Sequence, residues 1–278
     1  MRCRYLKMAV VKESQSDWVD DQQTRDEFIA FALGENIMFK HGRSQLYYSP
    51  RLQEPDLIAG VIEKKVTETI KDGPWENTLK TVDTFNTVNF AIKLKGRQDV
   101  AIEASNTVYS GDALLLFESL AQAIREKTRN WRIEFRQVGS ERDLTEYLKR
   151  HSGSIKKITI LFKMPNADFS PFEKLHDDIK KSLERIDADS LKKEISSSKA
   201  SIKPDDKLTL EMHYANEGGV GEVLIQKADD MNTPSFNSKD NGFSAVVDDN
   251  RKIDQAKSDS EKREIANNML EKAKDNDE

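Results

Sequence analysis

The stretch EPDLIAGVIEKKV at residues 54–66 carries the residue types of a metal-dependent nuclease. Such enzymes place one acidic residue, and a second acid two positions before a lysine, around a divalent metal that activates water. Asp56, Glu63 and Lys65 are the three candidates. On a strand, Glu63 and Lys65 would share one face, because strand side chains alternate with period two. The stretch therefore raises the hypothesis of a hydrolytic metal centre.

Two features of the same stretch argue against that hypothesis. Only six residues separate Asp56 from Glu63, which leaves little room for a turn between two ligand-bearing strands. A strand with one solvated face would also display Glu63, Lys65 and Thr67 without any metal, and short motifs match by chance. We therefore predict an ordinary strand with its polar side chains in water, no catalytic residue and no metal, and we keep the nuclease as the alternative.

The remaining metal-binding and nucleophilic side chains form no recognised pattern. The four histidines lack the spacing of a metal site, and His176 is expected on the solvated side of a helix. The single cysteine, Cys3, excludes an intrachain disulfide. A glycine-rich segment, NEGGVGEV, precedes a β-like stretch and not a helix N-terminus, so it predicts a hairpin turn and no phosphate site. No cofactor is predicted.

The middle of the chain is basic although the whole chain carries a net charge of -5. Residues 125–163 contain eleven Lys or Arg against five Asp or Glu, which gives 11 - 5 = +6. Such a cluster could contact phosphates without reading bases, with strongly salt-dependent affinity. The alternative is a solvated face paired with the acidic C-terminal third. The candidate nucleic-acid or partner-binding residues are Arg125, Arg129, Arg132, Arg136, Lys149, Arg150, Lys156 and Lys157.

The elements that would position these residues begin with a β-rich half. Residues 4–12 predict a strand, and TRDEFIAFALG predicts a helix that ends at Gly34. NIMFKHGRSQLYYS predicts a hairpin in which Gly42 adopts the positive φ of a tight turn. The alternating segments that follow, up to DVAIEA, extend this hairpin into a meander of four or five strands.

The second half alternates helices and strands. Helices are predicted over SGDALLLFESLAQAIREK and SERDLTEYLKR, and strands over WRIEFRQV and IKKITILFKM. A helix beginning at Ser170 and Pro171 follows, with Glu173 completing a capping box. We expect a further helix around DSLKKEISSSKA. Residues 207–216 favour one strand of a hairpin, with a helix as the rival interpretation.

These elements predict an α+β protein: an N-terminal antiparallel β-meander packed with a helix-covered mixed sheet, plus a polar C-terminal helix. The predicted parts are residues 1–104, the meander with one helix; 105–227, helices on one face of a sheet; and 228–278, a loop, a short strand and a helical tail. The tail has a thin apolar face of Ile265, Met269 and Leu270, which predicts docking on a protein partner or on a second copy.

The run KMPNADFSPFEKLHDDIKKSLERIDADSLKKEI at residues 163–195 resembles an uncharacterised bacterial family, domain of unknown function 4747. The order of FKHGRSQLYYS, the meander and WRIEFRQ is also similar, so the resemblance covers residues 25 to about 230. The Gly-rich EGGVGEV and the long polar C-terminal helix depart from the family's pattern. The resemblance carries no catalytic residues. It implies a bacterial accessory protein of the kind associated with phage defence or mobile elements.

The leading functional hypothesis is therefore a non-enzymatic binding subunit of a bacterial anti-phage defence or mobile-element system, which contacts DNA, RNA or a protein through the basic middle. No apolar run approaches the roughly 18 residues of a membrane helix, so no membrane contact is predicted. The apolar stretch at the N-terminus is too short for a signal peptide, and we expect a cytoplasmic location.

Overall fold

A computed structural model describes most of the chain. The described residues are 1–12, 24–71, 79–96, 98–109, 111–127, 131–163, 172–186, 188, 190–198, 201–217, 221–227, 236–238 and 242–273. No helix in these ranges combines the length and the apolar character that crossing a bilayer requires.

The larger of two sheets contains the predicted meander. Its strands run in the order β12-β1-β6-β5-β4-β3-β2, and β7 pairs with β1 beside β12. Gly42 forms the β2–β3 turn with a φ of 58°, as predicted. The strands are β1 Arg2–Lys12, β2 Ile37–His41, β3 Ser44–Glu54, β4 Leu57–Lys71, β5 Leu79–Lys93, β6 Asp99–Glu103, β7 Trp131–Gln137 and β12 Ser244–Val246.

Helices cover both faces of this sheet. On β4, Ile58 and Ile62 pack into a core with helices α1 and α2, whereas Leu57 and Ala59 face helix α6 on the other side. Alternate residues of one strand therefore serve two separate cores, which is why the run at 57–62 is apolar throughout. The helices are α1 Arg25–Gly34, α2 Ala113–Arg125 and α6 Asp259–Glu271.

The smaller sheet forms a second layer with its own core. Its order is β11-β10-β8-β9, and α3, α4 and α5 contribute buried residues to the core over its β8 and β10 strands. The strands are β8 Ile155–Lys163, β9 Ser190–Ser196, β10 Gly221–Lys227 and β11 Phe236–Asn237, and the helices are α3 Glu141–His151, α4 Glu173–Arg185 and α5 Asp206–Glu217.

The predicted α+β class, with its N-terminal meander and C-terminal helix, is confirmed. Every strand pair in the described part of the chain is antiparallel, including those of the sheet expected to be mixed. Strand β7 joins the larger sheet through β1, although it follows α2 in the stretch predicted to form a separate layer.

Two predicted elements are wrong in type. The expected helix around residues 189–200 is the edge strand β9, which pairs with β8 along its whole length, because tertiary pairing outweighs the weak helical pattern. Residues 207–216 lie in α5, so the favoured strand is wrong and the rival interpretation, a helix, is confirmed. Leu208, Met212 and Ala215 recur at helical spacing in the core, and the side chain of Asp205 caps the helix by accepting from the Leu208 N–H at 2.7 Å.

The correction at α5 changes the environment of His176. We expected this residue on a solvated helix face, but it is 4% exposed, and its Nδ1 lies 3.2 Å from the Tyr214 hydroxyl of α5. A strand at 207–216 would not have placed Tyr214 over α4, which explains the error. The predicted cap residues Ser170 and Pro171 lie outside the described residues.

The apolar face of the C-terminal helix is used within the chain. Ile265, Ala266 and Met269 are fully buried against the larger sheet, and Leu270 is nearly so. The prediction that this face docks on a partner or a second copy is therefore wrong, because these residues already complete an intramolecular core. A partner at α6 would have to contact its polar side.

Candidate functional site

The three residues of the nuclease hypothesis are not brought together. Asp56 lies in the turn between β3 and β4, and Glu63 and Lys65 lie far along β4. Glu63 follows Asp56 by seven positions along the chain, which corresponds to about 23 Å at the rise of an extended strand. Asp56 instead approaches Arg263 of α6, with Oδ2 3.5 Å from Nη2.

Glu63 and Lys65 share a strand face, as predicted, but each contacts its own neighbours. The Ser49 hydroxyl donates to Glu63 Oε2 at 2.9 Å, and Arg51 Nη2 lies 3.9 Å from the same oxygen. Lys65 Nζ lies 2.7 Å from Asp83 Oδ2. In the described ranges, no group of three His, Cys, Asp or Glu side chains has the geometry of a metal site.

The hypothesis of a metal-dependent nuclease has a direct test. We expect purified protein to leave supercoiled plasmid uncut in Mg²⁺ or Mn²⁺, because Asp56 lies too far from Glu63 to share one ion with it. The Glu63→Ala variant is the control for contaminating nucleases, since contamination gives equal cutting by both proteins. Metal-dependent cutting that disappears in Glu63→Ala would contradict the expectation and identify a hydrolase.

The basic candidates on β7 form a compact charged group. Arg132 Nη2 lies 2.8 Å from Glu134 Oε1, and Arg136 Nη2 donates to Glu134 Oε2 at 2.9 Å. Burial acts to raise the pKa of Glu134, but Arg136, Arg132 and Lys163 outweigh it and the pKa is lowered. Glu134 therefore stays ionised and fixes both guanidinium groups. Arg136 is 8% exposed, so its contribution is mainly structural.

Arg132 and Glu134 also line a cavity of about 370 Å³ between α2, β7 and the end of β8. This volume lies within the range of small-ligand pockets. On the α2 side, the lining residues are spaced about one helical turn apart. Lys163, the last residue of β8, also lines the cavity. The lining residues are Glu118, Ala121, Gln122, Arg125, Arg132, Ile133, Glu134, Phe135 and Lys163.

The charge of this α2–β7 cavity is mixed, with an excess of cations. Three lining residues are cationic and two are acidic, so 3 - 2 = +1. Arg125 is exposed in the last turn of α2, where a cation also interacts favourably with the helix dipole. The site therefore combines a held guanidinium at Arg132 with an exposed one at Arg125, which suits an anionic partner.

The other predicted contact residues lie outside this cavity. Lys149 and Arg150 are in the last turn of α3, and Arg150 Nη2 donates to Glu146 Oε2 at 3.1 Å. Lys156 and Lys157 are on β8, with Lys157 Nζ 2.9 Å from Glu194 Oε1. Arg129 is outside the described residues.

Sequence reasoning missed Glu118, Gln122 and Lys163 as parts of the site. The spacing of Glu118, Gln122 and Arg125 by four and three residues marks one polar helix face, and this signal was available. Nothing in the sequence indicated that Lys163 ends its strand beside β7, because that depends on how the two sheets pack.

The buried thiol of Cys3 is expected to be unreactive. Cys3 is fully buried beneath α6, and burial, followed by the charge of Glu103, raises its pKa to about 12. A thiol with such a pKa stays protonated at neutral pH and is a poor nucleophile. This agrees with a packing role for Cys3.

Comparison with known proteins identifies a matching family. A family described as a domain of unknown function (DUF4747) matches residues 53–266, which include β4 to β12, both walls of the α2–β7 cavity and most of α6. A search of the curated proteins found no match.

Proposed function

The chain belongs to the DUF4747 family, and we propose that it is a non-enzymatic binding protein that holds an anionic partner at the α2–β7 cavity. The observation that supports this most is the convergence of Arg125, Arg132 and Lys163 from three elements on one concavity. Cations brought together from separate elements raise the local positive potential more than the same residues spread over a surface.

The pre-organisation of Arg132 also supports binding. Its guanidinium is held by Glu134, so less side-chain freedom is lost when a partner arrives. A planar guanidinium can contact a carboxylate or a phosphate through two parallel hydrogen bonds. The shared chemistry of the partner is therefore an oxyanion, carried by a protein or by DNA or RNA.

The proposal also includes the cellular system that the family resemblance implies. In this setting the protein is a subunit of a bacterial anti-phage defence or mobile-element-associated system in the cytoplasm. The genes that recur beside its own in bacterial genomes test this part. Recurrent defence or mobile-element genes are expected, and consistent housekeeping neighbours would contradict it.

The binding proposal predicts a specific effect of charge reversal. Fluorescent poly-L-glutamate and an oligo-dT strand serve as the two anionic probes, measured by anisotropy over a salt series. We expect wild-type protein to bind at least one of them at low salt, and Arg125→Glu to weaken that binding about tenfold, which corresponds to one lost charge contact and one repulsion. Affinity should fall as salt rises.

Lys149→Glu is the matched control, because Lys149 is also an exposed cation in the last turn of a helix but lies outside the cavity. An acidic residue in the last turn of a helix destabilises that helix, and this loss is then common to both variants. Failure of wild-type protein to bind either probe, or equal losses in Arg125→Glu and Lys149→Glu, would overturn the proposal.

A further inference from the structure

The outer face of the larger sheet carries large apolar side chains that the described elements leave exposed. Met38 on β2 and Phe85 on β5 are 62% and 52% exposed, and Tyr47 on β3 is half-buried between them. Met38 pairs directly with Tyr47 across the two strands, and the ring centroids of Tyr47 and Phe85 lie 6.2 Å apart. The three side chains therefore form one continuous row, which we call the Met38–Phe85 stripe.

Strand alternation explains why the stripe belongs to neither core of this sheet. The residues on both sides of Tyr47 enter the core with α1 and α2, as Val88 does on β5. Tyr47 and Phe85 therefore point to the opposite face. Helix α6 packs on that face at Ala59, at the other end of β4. Isolated apolar side chains on a surface need no explanation, but contiguous ones mark a contact surface.

Charged pairs border the stripe on both sides. Lys65 Nζ lies 2.7 Å from Asp83 Oδ2, and Arg51 Nη2 lies 3.9 Å from Glu63 Oε2. The apolar stripe is therefore only one side chain wide. A protein interface of standard size covers about 800 Å² on each partner and has a broad apolar centre. The stripe lacks the room for such a centre, so its width favours a narrower ligand.

Two exposed cations lie at the β2 end of the stripe. Lys40 shares the face of Met38 because the two are separated by two positions on β2, and Arg43 lies in the β2–β3 turn. Within the described ranges, neither side chain has a hydrogen-bond or ion-pair partner. Both cations are therefore available to an anionic ligand that lies along the stripe.

Single-stranded nucleic acid matches both features of this surface. Its bases stack on aromatic rings, and its phosphates are attracted by cations beside those rings. The stripe crosses from β2 to β5, which is about 14 Å at the usual spacing of strands, so the contact involves a short stretch of nucleotides. A duplex fits less well, because its bases are already stacked on one another and present only their edges.

DNA is favoured over RNA by the polar groups beside the stripe. Proteins that select RNA form hydrogen bonds with the 2′-hydroxyl. The polar side chains described here already contact one another: the Gln45 amide contacts the Met38 sulfur, and Glu63 and Asp83 each accept a hydroxyl hydrogen bond at 2.9 Å. These groups are therefore not arranged to bind a 2′-hydroxyl.

We propose that the Met38–Phe85 stripe binds single-stranded DNA, with bases stacked on Phe85 and Tyr47 and phosphates at Lys40 and Arg43. This inference goes beyond the proposed function, because none of these residues lines the α2–β7 cavity. The site has little sequence preference, since every base has a face that can stack on an aromatic ring.

The experiment compares two fluorescent strands by anisotropy with the full-length protein. One is oligo-dT, and the other is an abasic strand with the same number of phosphates. The ratio of the two affinities measures stacking, because the electrostatic attraction is common to both. We expect wild-type protein to bind oligo-dT about tenfold or more tightly than the abasic strand. Phe85→Leu, which removes the ring and keeps an apolar side chain, should lower this ratio about tenfold.

Phe31→Leu is the matched control, because Phe31 is also an exposed phenylalanine, 45% exposed, but lies on α1. The ratio should be unchanged in this variant, and circular dichroism monitors the folding of both. Lys40→Ala should make the slope of log affinity against log salt shallower by about 0.7, the value for one phosphate contact of a single strand. Lys149→Ala should leave that slope unchanged.

Absence of oligo-dT binding by wild-type protein, or an equal ratio in wild type and Phe85→Leu, would overturn the inference. Tighter binding of oligo-U than of oligo-dT would also overturn it and assign the stripe to RNA. A dimer that light scattering detects in wild type and not in Phe85→Leu would assign the stripe to a second copy instead.

The same probes separate this inference from the proposed function. Arg125→Glu should leave the ratio of oligo-dT to abasic affinity unchanged, because Arg125 lies in the cavity and not on the stripe. If Arg125→Glu weakens poly-L-glutamate binding and Phe85→Leu leaves the ratio unchanged, the inference fails and the proposed function stands. If Phe85→Leu lowers the ratio and Arg125→Glu weakens neither probe, the inference stands and the proposed function fails.

Discussion

Ile265→Asp should lower the free energy of unfolding by about 4 kcal/mol, because it places a charge in a dry apolar core. Ile265 is fully buried, and its neighbours Met269 and Ala266 pack with it against Cys3, Tyr5 and the alanines of the sheet. The Tyr5 hydroxyl also donates to the Met269 carbonyl at 3.0 Å. Urea unfolding followed by circular dichroism measures the change.

The control for this variant is Asn267→Asp, which adds the same charge to the exposed side of the same helix. We expect a change within about 0.5 kcal/mol there. Light scattering with both variants distinguishes intramolecular docking from docking on a second copy. If Ile265→Asp alters the oligomeric mass and leaves the unfolding of each chain unchanged, the account of α6 is wrong.

The segment before α6 explains why this helix docks despite its thin apolar face. Asn89 is fully buried on β5, where its side chain donates to the Arg251 carbonyl at 2.9 Å and accepts from the Ile253 N–H at 3.0 Å. Lys252 Nζ lies 2.6 Å from Glu103 on β6. These contacts hold residues 251–253 against the sheet, so α6 begins close to the surface on which its apolar face packs.

Glu134→Gln should have the second large effect, a loss of about 2–3 kcal/mol of stability. The neutral amide cannot balance the two guanidinium groups of Arg132 and Arg136 that contact Glu134, and Arg136 is too buried to be solvated well by water. Weakening the ion pairing of a buried guanidinium costs more than an exposed ion pair contributes. Urea unfolding at pH 7 measures the loss.

Glu146→Gln is the matched control, because Glu146 also contacts two arginines, Arg142 and Arg150, but on an exposed helix face. Exposed ion pairs contribute little, so the loss in Glu146→Gln should be clearly smaller than the loss in Glu134→Gln. Equal losses in the two variants would contradict the role given to burial.

The Glu134 prediction has a defined pH dependence. The pKa of Glu134 is lowered from 4.5 in the folded state, so the unfolded state binds the proton more tightly. The stabilisation of the folded protein by the ionised Glu134 carboxylate is fully present above pH 4.5. It is lost as the pH falls through the lowered pKa that Glu134 has in the folded state. The difference between wild type and Glu134→Gln should therefore shrink below pH 4.5. A difference that grows on acidification would contradict the assignment.

The meander was predictable because its signals are local. Gly42 at a two-residue turn and the alternation of Val88, Phe90 and Ile92 determine strand and turn without reference to the rest of the chain. The sequence does not separate helix from strand at residues 189–200 and 207–216, because both segments satisfy helical and alternating patterns. Pairing with β8 decided the first, and packing over the smaller sheet decided the second.

The candidate site was only partly predictable for the same reason. Its cations are visible in the sequence as a basic stretch, and Arg125 and Arg132 are among the predicted contact residues. The sequence could not show that β7 pairs with β1 and lies beside α2, because that strand pairing joins residues more than one hundred positions apart. Nor could it distinguish Arg136, which is buried, from Arg132, which lines the cavity.

The proposed function depends on the binding of anions at the α2–β7 cavity. The most direct measurement is two-dimensional NMR of the arginine Nε–H groups during titration with poly-L-glutamate. We predict that the resonances of Arg125 and Arg132 shift with a common saturation curve, while that of Arg150, which pairs with Glu146 outside the cavity, does not move. Shifts at Arg150 with none at Arg125 and Arg132, or no shifts at any arginine, would contradict the claim.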